Sequence, residues 1–105
     1  MTLPRSITMA GQRIRVVSRD LSDEDYFGSY IHEKKLITIH SKLTAKKTKE
    51  TMWHEMMHAW LACSGLGTAI EEMRLEEALV VSSDEIFYPA WERFLKRFDK
   101  NEPDA

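Results

Sequence analysis

Residues 54–58 read His-Glu-Met-Met-His. Two histidines four positions apart on a helix project from one face, about 5–6 Å apart at Cβ. That is close enough for both imidazoles to hold one tetrahedral Zn²⁺. Glu55 follows the first histidine directly, so its carboxylate reaches the open side of such a metal. There it takes a proton from a metal-activated water instead of binding the metal. The flanks suit this chemistry. Apart from the motif itself, no Asp, Glu, Lys or Arg falls between Thr51 and Ala69, whereas Lys46, Lys47, Lys49 and Glu50 crowd just upstream. Two histidines and a glutamate inside an apolar stretch are costly unless something pairs them, which argues against an ordinary helix face.

A catalytic zinc site needs a third protein ligand and one open position. His58 is followed by seventeen residues and then the pair Glu76-Glu77, beyond a Gly-containing turn that folds a second helix back onto the first. Glu71 and Glu72 are alternatives nearer the turn. Cys63 lies five past His58 and off its face, leaving no fourth ligand for a closed structural site. At about 100° per residue, Glu76 and Glu77 point to different sides of their helix. The charges Glu71, Glu72, Arg74, Asp84 and Glu85 average to a direction nearly opposite Glu76. This phase turns Glu76 inward, among Met73, Leu79, Val80 and Phe87. It leaves Glu77 on the side of Asp84, partly solvated. On helical phase the metal set is therefore His54, His58 and Glu76.

The elements that position these residues follow from the hydrophobic pattern. Gln12–Ser18 alternates polar and apolar before a Val pair and reads as a half-buried strand. Tyr26–His32 and Leu36–His40 read as two more, separated by Glu33-Lys34-Lys35 as a tight hairpin. From Thr44, a candidate N-cap, the period becomes helical through Met52, Trp53, Met56, Met57, Trp60 and Leu61. Gly65 offers a left-handed stop. A second helix is expected from about Thr68 to Tyr88, with Pro89 ending or bending it. Trp91, Phe94, Leu95 and Phe98 mark a third amphipathic segment. About three strands followed by three helical segments make an α+β domain, and 105 residues suit a single domain over 1–105.

The pattern Thr51-x-x-His54-Glu55-x-x-His58-Ala59, then Gly65 and Glu76-Glu77, resembles the gluzincin branch of the zincin metallopeptidases. It is most similar to the small ImmA/IrrE-like metallopeptidases, particularly the minimal forms of phages and prophages. Gly28-x-Tyr30 with Leu36-Ile37-Thr38-Ile39 looks like their strand pair before the active-site helix. Where larger members carry an Ala-Asn pair followed by Phe-Ala on the second helix, this chain has Leu79-Val80 and Ser82-Ser83. The resemblance implies a minimal zincin-like fold, one Zn²⁺ per chain and hydrolysis of protein substrates such as repressors. It also offers a counter-argument on the third ligand, since Glu77-Ala78 imitates the Glu-Ala pair of larger gluzincins.

Fifteen Lys and Arg against seventeen Asp and Glu give a net charge of −2, which argues against nucleic-acid binding driven by bulk charge. The single cysteine excludes an intramolecular disulfide framework. No apolar run approaches the roughly 18 residues of a membrane span, and Met1–Arg5 has no apolar h-region, so a cytoplasmic location without membrane attachment is expected. The reading is thus a zinc metallopeptidase acting on a protein or peptide through Glu55 as general base. An extended substrate would add to the strand Leu36–His40 at a sheet edge beside the cleft. Tyr30 and Tyr88 are candidates to polarise the scissile carbonyl, while His32 and His40 read as plain histidines. The rivals are a zinc-binding regulatory protein of weak or lost activity and a metal-free interaction domain using its Trp-rich helix.

Overall fold

In a computed structural model of the chain, residues 2–70 and 73–101 are described. Four strands, β1 (Ser6–Met9), β2 (Gln12–Arg19), β3 (Gly28–Ile31) and β4 (Leu36–His40), form one mixed sheet in the order β1-β2-β4-β3. The fourth strand is β1. Its turn, Ala10-Gly11, takes positive φ at both residues (52° and 72°), the conformation of a two-residue hairpin. Alanine at the first of these positions carries no turn signal, so the Ser6–Met9 alternation is hidden in the sequence. β3 and β4 pair antiparallel through a 3-10 turn at His32–Lys34, closed by Lys35 in the left-handed region (φ 47°).

The expected substrate edge is corrected by the pairing. β4 is hydrogen-bonded on both sides, parallel to β2 and antiparallel to β3. It has no free backbone edge to offer. The edges are β1 and β3. β4 is instead the centre of the core. Ile37 and Ile39 are fully buried, as is Ile14 of β2, and the buried Val16, Met52 and Ala59 complete the cluster.

Met52 and Ala59 belong to α1 (Ala45–Cys63), which crosses this face of the sheet. Thr44 caps it as expected, its side chain accepting from the Lys47 N–H at 3.1 Å. Gly65 (φ 81°) ends it in the left-handed region and starts the short α2 (Leu66–Ala69). Ile70 is extended, and Glu71 and Glu72 lie outside the described residues. The single helix expected from Thr68 to Tyr88 is therefore divided. α3 covers Met73–Ser82, a π-helical turn covers Ser83–Phe87, and α4 runs on through Tyr88–Asn101.

Pro89 neither ends nor breaks this run. A proline ring clashes with the carbonyl four residues back in a regular α-helix and removes one N–H from the ladder. Widening to i→i+5 bonding just before the proline, where the Tyr88 N–H donates to the Ser83 carbonyl, relieves that clash. The change of winding also alters which way residues 83–87 face. Trp53 of α1 fixes the turn in place: its indole N–H donates to Ser83 Oγ at 2.9 Å, and its ring lies 5.8 Å from Phe87 and 5.0 Å from Tyr88.

Candidate metal centre

The helical spacing of α1 sets two stripes. Thr48, Thr51, Met52, Glu55 and Ala59 are buried, on the stripe that faces the sheet. His54 and His58 lie on the adjoining stripe, turned towards α3, with ring centroids 5.0 Å apart. Glu55 is 6% exposed. Burial pushes its carboxyl above the ordinary glutamate range. The nearby His54 and His58 pull it back, while Glu77 and Asp84 push it further up.

Both imidazoles are held from behind. Nδ1 of His54 pairs with Oδ2 of Asp84, and Nδ1 of His58 lies 3.2 Å from Oε1 of Glu76. An Nδ1–H donated to a carboxylate leaves Nε2 with a free lone pair, the tautomer of a metal-ligating histidine. On that side stands Glu77. Its Oε1 is 3.8 Å from Nε2 of His54 and its Oε2 is 3.5 Å from Nε2 of His58. The three ligand atoms of His54, His58 and Glu77 all lie within 4.8 Å of one another.

The donor set fits zinc. The Glu77 contacts are longer than the 2.7–3.2 Å of an N–H···O hydrogen bond. Zn–N and Zn–O bonds of 2.0–2.2 Å in a tetrahedron set ligand atoms about 3.3–3.6 Å apart; the two Glu77 oxygens stand 3.8 and 3.5 Å from the two Nε2 atoms, so a small inward movement of the three side chains would close on the ion. Charge points the same way. Four carboxylates, Glu55, Glu76, Glu77 and Asp84, surround two imidazoles, and Oδ1 of Asp84 is buried without a hydrogen-bond partner among the described residues. Such a concentration of acceptors is stabilised by a cation.

His54, Glu55 and His58 are neighbours on α1, and it is Glu77, not the Glu76 favoured by helical phase, whose carboxylate joins the convergent ligand atoms. Glu76 backs His58 at Nδ1, and Glu77 faces both Nε2 atoms. The phase argument counted Asp84 as a solvent marker. In the π turn Asp84 instead points at His54, so the side shared by Glu77 and Asp84 is the side of the site. Asp84 was missed for the same reason. Its signal was its distance from Glu77, seven residues or two helical turns on, together with the need of each ligating histidine for an acceptor at Nδ1.

Of the other candidates, Tyr30, His32 and His40 are engaged away from this cluster. Tyr30 Oη lies 2.7 Å from Nδ1 of His32 and 3.8 Å from Sγ of Cys63. His40 accepts the Leu21 N–H at Nδ1, at 2.9 Å. Tyr88 is buried and lines a cavity of about 530 Å³ next to His54 and Glu55, with Tyr26 and Phe27 on its opposite wall.

β3 closes on Glu55 through Gly28. A Cβ there would stand 2.7 Å from Cγ2 of Thr51 and 3.3 Å from Cγ of Glu55. Gly28→Ala should therefore force the edge strand off α1 and destabilise the fold by about 1–3 kcal/mol. Urea denaturation measures this, and an unchanged midpoint would mean that strand and helix do not pack so closely.

No family model, no curated protein and no solved structure matches this chain. What fold and site define together is a small α+β domain with a candidate metal centre between two helices. Among the described residues no helix is long and apolar enough to cross a membrane.

Proposed function

We propose that the chain is a zinc-dependent metallopeptidase of minimal zincin-like architecture that hydrolyses peptide bonds of a protein substrate, a repressor or other regulator being the class its resemblance implies. The observation that carries this reading is the convergence of two Nε2 atoms and one carboxylate, each imidazole backed by its own carboxylate, beside a buried glutamate in a cavity. His54, His58 and Glu77 would hold the metal. Zn²⁺ held there would supply Lewis-acid polarisation of a carbonyl and lower the pKa of a water.

The remaining work falls to the chain's own groups. Glu55 is the general base: its carboxylate accepts a proton from the attacking water and returns it to the leaving amine. Burial raises its proton affinity, which suits it to both transfers. Asp84 and Glu76 hold the imidazole rings in one tautomer and orientation. β3, the strand edge beside Glu55, is the backbone available to align an extended peptide.

Protein purified without a histidine tag should contain one zinc per chain by elemental analysis, and His54→Ala and His58→Ala should each lose it. A peptide library incubated with the wild type should be cleaved, with cleavage lost on chelation and restored by zinc. Equal trace metal in all three proteins, or cleavage indifferent to chelation, would sink the reading.

A further inference from the structure

The cavity beside Glu55 has a composition that selects among substrates. It is lined by the segment Tyr26-Phe27-Gly28 and by Asp84, Glu85, Tyr88 and Pro89. Phe27 is 51% exposed, its ring stacked 6.3 Å from that of His40, while Tyr88 is 9% exposed and packs against Trp53. Aromatic walls of this kind cover the stem of a long side chain.

The charge in the cavity is one-sided. Glu50, Glu55, Asp84 and Glu85 line it against a single lysine, Lys47. Two of those carboxylates are committed, Asp84 to His54 and Glu55 to the water. Among the described residues neither Glu50 nor Glu85 has a cation within 4.0 Å. Lys47 does not serve them; its ammonium sits 5.5 Å from the Phe27 ring centroid. That contact also shows the Phe27 face to be a surface on which a cation rests. Independently, the Glu55 side chain is buried, makes no hydrogen bond within the described residues, and lines this cavity, so a substrate seated here lies against the base.

We propose that this cavity seats a cationic side chain of the substrate, lysine or arginine, with its stem between Phe27 and Tyr88 and its charge at Glu50 and Glu85. The proposal rests on the peptidase reading for its chemistry and on the lining residues for its selectivity. An apolar side chain of the same length would desolvate Glu50 and Glu85 without pairing them, and an acidic one would be repelled.

The test uses labelled pentapeptides Ala-Ala-X-Ala-Ala, with X arginine, its neutral isostere citrulline, norleucine or glutamate. Their binding to the zinc-loaded full chain carrying Glu55→Gln is followed by fluorescence anisotropy. The arginine peptide should bind about tenfold more tightly than the citrulline peptide, the scale of a charge-assisted contact. Adding Glu50→Gln and Glu85→Gln together should bring the two within about twofold of each other. Equal affinity of the arginine and citrulline peptides in the starting protein overturns the proposal. In a library digest by the wild type, Lys or Arg should stand at one fixed position relative to each cleaved bond. Cleavage without that enrichment overturns the pocket and leaves the peptidase standing. Arginine-selective binding without any cleavage upholds the pocket and overturns the peptidase.

Discussion

Zinc-loaded Glu55→Gln should cleave the wild type's substrates about 10²–10⁴-fold more slowly, the usual contribution of a positioned general base. It should still carry one zinc per chain. The reasoning is geometric. The ligand atoms that converge belong to His54, His58 and Glu77, and Glu55 lies on the neighbouring, sheet-facing stripe of α1. Glutamine keeps the shape of that side chain, which matters because Gly28 and Thr51 leave it little room. It also removes a buried negative charge from among Glu77 and Asp84. The metal-free variant should therefore unfold no more easily than the metal-free wild type in a thermal scan. Single-turnover rates, zinc content and the unfolding midpoint, measured on one preparation, separate the outcomes. Loss of zinc together with activity would make Glu55 a ligand and the assigned role wrong.

How much of this was legible beforehand depended on whether the signal was local. The motif on α1 was readable because 3.6-residue periodicity, the Thr44 cap and the Gly65 stop all agree over one uninterrupted helix. β2 and β4 were readable from alternation and β-branching. β1 was not, since its register is set by a turn that uses alanine at positive φ, an uncommon choice. The central position of β4 was also hidden. Nothing within Leu36–His40 says that β2 will pair beside it in parallel, because that pairing is made by residues about twenty positions away.

The second half was less legible. Helical phase orders the two glutamates by exposure as the structure has them, 30% for Glu76 and 55% for Glu77, but it extrapolates a constant angle per residue and loses Asp84 across two interruptions. The extended Ile70 detaches α2 from α3, and the π turn before Pro89 advances the chain by a different angle. The charges used to locate solvent straddled both. Asp84, counted as a solvent marker, faces His54 with its side chain only 27% exposed. Functional sites are where local rules are most often set aside, and the π turn that carries the partner of His54 breaks one beside the candidate metal centre.

The sharpest consequence of that placement is a contrast between adjacent glutamates. Glu77→Gln should weaken zinc binding by more than the roughly 10–100-fold typical of losing a partner that only orients a ligand. Glu76→Gln should fall within or below that range. Glu77 offers its two oxygens to Nε2 of His54 and Nε2 of His58, at 3.8 and 3.5 Å, so its charge sits where a metal held by both histidines would lie. A neutral amide oxygen there is a much poorer partner for a divalent cation. Glu76 sits at 3.2 Å from Nδ1 of His58, on the far side of the ring. The carbonyl of a glutamine can still accept that N–H, so tautomer and orientation survive and only some basicity of the ring is lost. Competition with a chromophoric chelator measures both affinities, and the Glu76→Gln, Glu77→Gln double variant shows whether the effects add. Neighbours acting through one metal should couple, because once Glu77 is gone the orientation of His58 matters less. A larger loss in Glu76→Gln than in Glu77→Gln would return the third ligand to Glu76, and would require α3 to turn by about 100° from the arrangement described.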